Sequence, residues 1–164
     1  MNIMIAINPP YTDLICTKYK PIEFRKKVLS CMLETPEDVT LYIYETKNKG
    51  GSGKVIASSS LEVVEPIMCI HDPTNADDII EVEYTRTRVL NKLHKHFVDI
   101  KEFQKYENCA NQFYNYLDDI GFGGDYAVVL KDVVKYDVPK ELGEFCDLNG
   151  NALKRPPQNM FRIL

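Results

Sequence analysis

Runs of apolar residues, some continuous and some alternating, predict strands at both ends of this chain of 164 residues. The opening "MNIMIAI" is continuously apolar, which is typical of a strand buried on both faces. "VTLYIYET" alternates, with Leu41 and Ile43 on one face and Tyr42 and Tyr44 on the other. The β pattern resumes at "VIASSSLEVVEPI" after the loop "KNKGGSGK", so these two segments predict a hairpin. "YAVVLKDVVKYDVP" and the tail "RPPQNMFRIL" predict further strands.

Helical patterns fill the remaining segments. "NPPYTDLICT" predicts a short helix with Asn8 as its N-cap, Pro9 in its first turn and an end near Lys18. Between about residues 77 and 120, "TRTRVLNKLHKHFVDI" and "NQFYNYLDDI" have apolar positions three or four apart. We therefore predict one α+β domain over residues 1–164, a small mixed β-barrel with peripheral helices and this helical insert. A doubly wound sheet is disfavoured because regular alternation of strand and helix is missing.

Composition narrows the class of protein. Hydrophobic residues make up 45% and charged residues 27% of the chain, as in ordinary globular proteins. No apolar run approaches the roughly 20 residues that span a bilayer, and the N-terminus lacks the features of a signal peptide. We expect a cytoplasmic protein without membrane contact. The net charge of −4 disfavours broad adhesion to nucleic acid but allows a small basic pocket.

Common catalytic and metal-binding motifs are not found. The five cysteines are scattered without C-x-x-C spacing. His94 and His96, two apart on a predicted helix, point in different directions and cannot easily share a metal. "GGSGK", Gly50 to Lys54, is followed by valine and a strand, so it predicts a flexible hairpin tip and not a phosphate-binding loop. We predict neither a metal site nor a cofactor.

The segment "KYKPIEFRKK", Lys18 to Lys27, gathers five cations around the single carboxylate of Glu23. In a strand, Glu23 and Arg25 share one face, and Ile22 and Phe24 pack inward on the other. A surface ion pair worth at most about 1 kcal/mol is one interpretation. In the other, Glu23 lies in a pocket and accepts hydrogen bonds from a base or an amide, while neighbouring cations contact phosphate or carbonyl oxygens.

Four segments, in chain order, resemble the ASCH family of PUA-like β-barrel domains. "IAINPPYTDLI" resembles the opening S-I-K-P-x-Y-A-x-x-I, and "KPIEFRK" resembles the signature K-x-x-E-F-R. "DYAVVLKDVVKYDVPKEL" resembles A-Y-A-I-x-I followed by Y-x-x-P-x-x-L, and "RPPQNMFRIL" resembles the closing A-P-Q-S-F-x-Y-L. The resemblance covers about half of the residues. Asn8 departs from it by replacing a lysine, and Lys18 departs from it by replacing a glycine.

The resemblance implies a mixed barrel whose cleft is lined by the signature and binds RNA or a modified nucleoside or nucleotide. The implied ligand contacts are Lys20, Glu23, Arg25 and Lys26 from the signature, with Gln158 and Asn159 from the tail. The two tail amides offer both donors and acceptors. A barrel-closing strand is the alternative interpretation of the tail.

The resemblance also allows an enzymatic function, because one bacterial branch of the ASCH family hydrolyses the acetyl amide of N4-acetylcytidine. In that branch a lysine activates a threonine three residues later. Lys20 matches the lysine, but Glu23 occupies the position of the threonine nucleophile. A binding module without strong catalysis is therefore the main hypothesis. The alternatives are an amidohydrolase that uses Lys20 and Glu23, and a regulatory module whose helical insert binds a protein partner.

Overall fold

A computed structural model describes residues 1–67, 87–96 and 125–164 of the chain. Six strands form one sheet in the order β2-β5-β4-β3-β1-β6. The strands are β1 (Asn2–Ile7), β2 (Ile22–Arg25), β3 (Thr40–Glu45), β4 (Val55–Ile67), β5 (Asp125–Lys140) and β6 (Met160–Ile163). β1 and β3 are parallel, whereas β1–β6, β2–β5 and β3–β4 are antiparallel. The sheet is therefore mixed, as predicted.

Three α-helices accompany the sheet in the described ranges: α1 (Tyr11–Cys16), α2 (Ser30–Glu34) and α3 (residues 87–96). Short 3₁₀ turns occupy Pro36–Asp38, Asn48–Gly50 and Leu142–Glu144. The α+β class is confirmed, and residues 87–96, which include His94 and His96, are helical. The rest of the insert, which one alternative predicts to bind a protein partner, lies outside the described residues. No helix in the described ranges is long and apolar enough to cross a membrane.

The chain groups into two compact units. The first comprises Met1–Lys20, Leu29–Val63 and Leu130–Leu164, and the second comprises Pro21–Val28 and Val64–Val129. Both strands that run through the two units, β4 and β5, were predicted from their β patterns.

In the first unit, β1 is buried on both faces, which explains its unbroken apolar sequence. Met4 and Ala6 belong to a buried cluster with Tyr44, Val55 and Ile163. Against this cluster pack six partly buried side chains: Tyr42, Tyr136, Leu142, Phe145, Leu153 and Phe161. On the opposite parity of the same strand, Ile3, Ile5 and Ile7 are also buried. Because it is buried on both faces, the strand fixes the position at which the following loop and helix begin.

The start of α1 differs from the prediction. The helix begins at Tyr11, its N-cap position is Pro10, and no side chain caps it. Asn8 was predicted as the cap, but its side chain accepts hydrogen bonds from Thr46 and Asn48. A distant partner therefore overrides the local capping preference of asparagine. After the helix, Lys18 adopts a φ of 62°, the left-handed conformation that glycine favours. This is the position at which the ASCH pattern has glycine.

Candidate functional site

In the second unit, β2 places Glu23 beside Arg25. The two residues are two apart on an extended strand and therefore share a face. Nη2 of Arg25 lies 3.0 Å from Oε1 of Glu23, and the two side chains are only 15% and 11% exposed. The predicted ion pair between these residues is therefore present, but it is largely removed from solvent and does not lie at the surface. Phe24 was predicted to pack inward but is half-buried, whereas Ile22 is buried as predicted.

The other predicted ligand contacts are divided between the two units. Lys26 follows β2 and is exposed. Lys20 belongs to the first unit, where its Nζ lies 5.7 Å from the ring centroid of Tyr11. Gln158 and Asn159 also belong to the first unit, and Gln158 is exposed. The backbone carbonyl of Asn159 accepts a hydrogen bond of 2.9 Å from the N–H of Ala6, and the strand that follows it, β6, pairs with β1.

A second ion pair, with a buried carboxylate and a half-exposed arginine, lies in the same unit as Glu23. Nη2 of Arg88, on α3, donates to Oε1 of Glu65, on β4, at 2.6 Å. The side chain of Glu65 is 6% exposed and that of Arg88 is 47% exposed. The pair joins the helix to the strand, and no sequence signal connects residues 23 positions apart. It provides a natural comparison for the Glu23–Arg25 pair.

The first unit contains a polar network that the sequence analysis missed. Its centre is Glu45, the last residue of β3. Oε1 of Glu45 accepts a hydrogen bond of 2.6 Å from the hydroxyl of Thr12, and Oε2 accepts one of 2.8 Å from the backbone N–H of Ser52. Thr12 is completely buried within α1. The carboxylate therefore ties the first turn of α1 to the loop between β3 and β4.

Asn8 makes a second connection between the same two segments. Its Oδ1 accepts hydrogen bonds from the hydroxyl of Thr46 and, at 3.2 Å, from the side-chain amide of Asn48. Gly51 fits closely into this corner, because a Cβ at that position would lie 2.9 Å from Cγ of Pro9. The segment "GGSGK" does form the predicted hairpin connection. It is tethered at several points, in contrast to the predicted flexible tip.

The hydrogen bonds keep Glu45 ionised. Burial opposes ionisation of this carboxyl, but the bonds from Thr12 and Ser52, helped by the charge of Lys135, outweigh burial. The pKa of Glu45 therefore lies below its ordinary value of 4.5. Because the unfolded state takes up a proton at a higher pH than the folded state, the network stabilises the fold fully above about pH 4.5. That stabilisation is lost as the pH falls through the folded-state pKa.

Replacing Thr12 by Val should test this network. The change keeps the shape of the buried side chain but removes its hydrogen bond to the carboxylate, so we expect a loss of about 1–2 kcal/mol in the free energy of unfolding at pH 7. The deficit should shrink below about pH 4.5, as Glu45 becomes protonated in both proteins. Urea denaturation across this pH range measures it. Thr17→Val is the control, since Thr17 donates to the neutral carbonyl of Asp13. A deficit for Thr12→Val that does not change with pH would contradict the role of Glu45.

In the described ranges the possible metal ligands are not clustered and the cysteines are free thiols. They contain no group of three or more His, Cys, Asp or Glu side chains that could hold a metal ion. Cys16, Cys31 and Cys146 are free and half-buried. Burial raises the pKa of the Cys16 thiol, with Asp13 and Glu45 acting in the same direction and Lys135 opposing them. Cys16 is therefore mostly a protonated thiol and a poor nucleophile near neutral pH.

The fold can be compared with solved structures. The sequence matches no protein-family profile and no curated protein. The crystal structure of an ASCH protein from Zymomonas mobilis superposes with a TM-score of 0.54 at 18% identity, covering 98% of this chain and 85% of that one. A serine-to-alanine variant of the same protein gives a TM-score of 0.55 at 18% identity, covering 98% and 86%. The predicted architecture is thereby confirmed, and the chain has the PUA-like α+β fold of ASCH domains.

Proposed function

We propose that this protein is a binding module that recognises a base or modified nucleotide of RNA. The observation that carries the proposal is the buried Glu23–Arg25 pair within the segment that resembles the ASCH signature. Burying two opposite charges on a short strand costs desolvation energy that an apolar pair would avoid, so the pair is weak evidence for a role in stability. A role in ligand recognition accounts for both charges.

The chemistry of the pair suits a nucleobase. The two oxygens of a carboxylate can together accept roughly four hydrogen bonds, so one carboxylate can take part both in an ion pair and in ligand recognition. Amino and imino groups of bases are donors that such an acceptor recognises, as carboxylates do with cytosine N4. The guanidinium of Arg25 is a donor for carbonyl or phosphate oxygens and orients the carboxylate through the ion pair. Lys20, Lys26, Gln158 and Asn159 stay predicted contacts in this proposal.

The ion pair favours binding over hydrolysis of an amide. Acyl transfer in the related hydrolases needs a hydroxyl nucleophile, and Glu23 stands at that position. Arg25 lies against this carboxylate and reduces its nucleophilicity, because the negative charge is shared in a charge-assisted hydrogen bond. Release of acetate from N4-acetylcytidine by the purified protein, above the level of a Lys20→Ala variant, would instead support the hydrolase.

Binding of cytidine, N4-acetylcytidine and other nucleosides can be measured by titration calorimetry with wild-type and Glu23→Gln proteins. We expect Glu23→Gln to weaken binding about tenfold to a hundredfold, since it removes the charge from a hydrogen bond worth about 1.5–3 kcal/mol. Glu65→Gln is the matched control, because Glu65 is also a buried glutamate paired with an arginine in the described part of the same unit. All titrations are made below the melting temperature of every variant. Equal losses for the two variants, or none for Glu23→Gln, would contradict the proposal.

A further inference from the structure

The loop from residue 46 to residue 54, here called the basic loop, joins β3 to β4. Its sequence "TKNKGGSGK" contains three lysines and no acidic residue. Lys54 is paired with Glu141 at 2.6 Å, but Lys47 and Lys49 are exposed. A chain with a net charge of −4 therefore presents two cations close together on one short loop. Such a local excess of positive charge attracts phosphate groups.

The basic loop is held in position by the polar network. Glu45 accepts from Ser52, and Asn8 accepts from Thr46 and Asn48. A glycine-rich connection would normally lose much conformational freedom when it binds a ligand. Here hydrogen bonds to Glu45 and Asn8 remove part of that freedom beforehand. Preorganisation of this kind lowers the entropic cost of binding a ligand.

An exposed aromatic ring lies next to the polar network in the sequence. Tyr11 precedes Thr12, the residue that donates to Glu45, and it is 45% exposed. Nζ of Lys20 lies 5.7 Å from the centroid of its ring, within the range of a cation–π contact. Asp13 is the exposed acidic residue beside Tyr11 on α1, and the charge of Glu45 is engaged by Thr12 and Ser52. Aromatic rings beside lysines are the combination that binds single-stranded nucleic acid, through base stacking and phosphate contacts.

We propose that the basic loop and Tyr11 bind single-stranded RNA, with Lys47 and Lys49 on backbone phosphates and Tyr11 stacked on a base. This inference rests on the proposed function and makes it more specific, because it requires a single-stranded RNA and adds contacts to its phosphate backbone. A nucleoside has no phosphate for these lysines to contact. The two cations are therefore needed only when the ligand carries a phosphate backbone.

The lysines are tested with a double variant, Lys47→Gln with Lys49→Gln. Its matched control is Lys95→Gln with Lys131→Gln, which removes two exposed charges outside the basic loop. Binding of a fluorescent single-stranded RNA of about ten nucleotides is followed by anisotropy at several salt concentrations. For single strands the logarithm of affinity falls by about 0.7 per phosphate contact for each tenfold rise in salt. We expect the salt slope of the loop variant to decrease by about 1.4 and that of the control to stay unchanged.

Tyr11 is tested separately, because stacking does not depend on salt in this way. Tyr11→Leu should weaken RNA binding about tenfold without changing the salt slope, since stacking of one base is worth about 1–3 kcal/mol. Tyr11→Phe retains the ring and should retain the affinity. A loss in Tyr11→Phe as large as in Tyr11→Leu would contradict the stacking role.

The results separate this inference from the proposed function. Nucleoside binding that depends on Glu23, with an RNA affinity no greater than that of the nucleoside, would overturn the inference and leave the proposed function standing. RNA binding that depends on Lys47 and Lys49 but not on Glu23 would support the inference and contradict the proposed recognition site. Equal binding of a DNA strand of the same sequence would overturn the assignment to RNA. Absence of both RNA and nucleoside binding would overturn both proposals.

Discussion

Replacing Glu23 by Leu should lower the free energy of unfolding by about 3–5 kcal/mol. The new side chain has a similar volume, so the loss arises from leaving the guanidinium of Arg25 without the carboxylate that lies 3.0 Å away. Arg25→Met should cost a similar amount for the opposite reason. The double variant, with both residues apolar, should recover most of the loss, because two buried charges are removed together. Chemical denaturation of the four proteins gives the coupling energy directly.

The exposed pair of Lys54 and Glu141 is the control for this prediction. Its N–O distance of 2.6 Å is shorter than that of the buried pair, but its side chains are 40% and 65% exposed. Solvent screens such a pair, so Glu141→Leu should change the free energy of unfolding by less than about 1 kcal/mol. Similar losses in the free energy of unfolding for Glu23→Leu and Glu141→Leu would show that burial does not set the strength of the Glu23–Arg25 pair.

This prediction changes how the candidate site must be tested. If the pair lay at the surface and were worth at most about 1 kcal/mol, a change at Glu23 would alter binding and leave stability nearly intact. The burial of the pair means that both properties will change, and a loss of binding by itself is ambiguous. Glu65→Gln resolves the ambiguity, because Glu65 is buried and paired but lies outside the signature. A binding defect confined to Glu23→Gln then reports on recognition.

The strands were predictable because their signal is local. The apolar run of β1 and the alternation in β3 and β4 depend on neighbouring residues, and burial follows directly from them. The prediction is less accurate for β2, where Glu23 is buried and Phe24 is half-buried. A prediction from strict alternation assumes that one face of the strand is in solvent and the other in the core. The assumption fails for β2, because Glu23 forms an ion pair with Arg25 on the same face and is buried.

The polar network could not be predicted because its contacts are distant in sequence. Thr12 and Glu45 are separated by 33 positions, and Asn8 and Thr46 by 38. Local rules assign Asn8 to a helix cap, and they assign "GGSGK" to a loose turn. Only the parallel pairing of β1 with β3, which brings Ile7 beside Glu45, places these residues together. The same pairing places side by side the segments that follow β1 and β3, which carry the candidate RNA surface.

Gly51→Ala should disrupt the basic loop and lower the free energy of unfolding by about 1–3 kcal/mol, or more. The backbone at Gly51 has a φ of −68°, which any residue adopts, so the effect is purely steric. The added Cβ would lie 1.9 Å from the carbonyl oxygen of Thr46, a backbone atom that cannot move without displacing the loop. Because Thr46 and Ser52 carry hydrogen bonds of the network, the displacement should also break the contacts to Asn8 and Glu45.

Denaturant unfolding measures the loss of stability, and the RNA titration described above measures its consequence for binding. Gly143→Ala is the matched control, since a Cβ at Gly143 meets no atom within 4 Å. We expect the control to retain both stability and affinity, and Gly51→Ala to bind RNA as weakly as the variant without Lys47 and Lys49. If Gly51→Ala is destabilised but binds RNA normally, the network holds the loop for structural reasons alone. The tethering of the loop would then have no part in placing its lysines on phosphate.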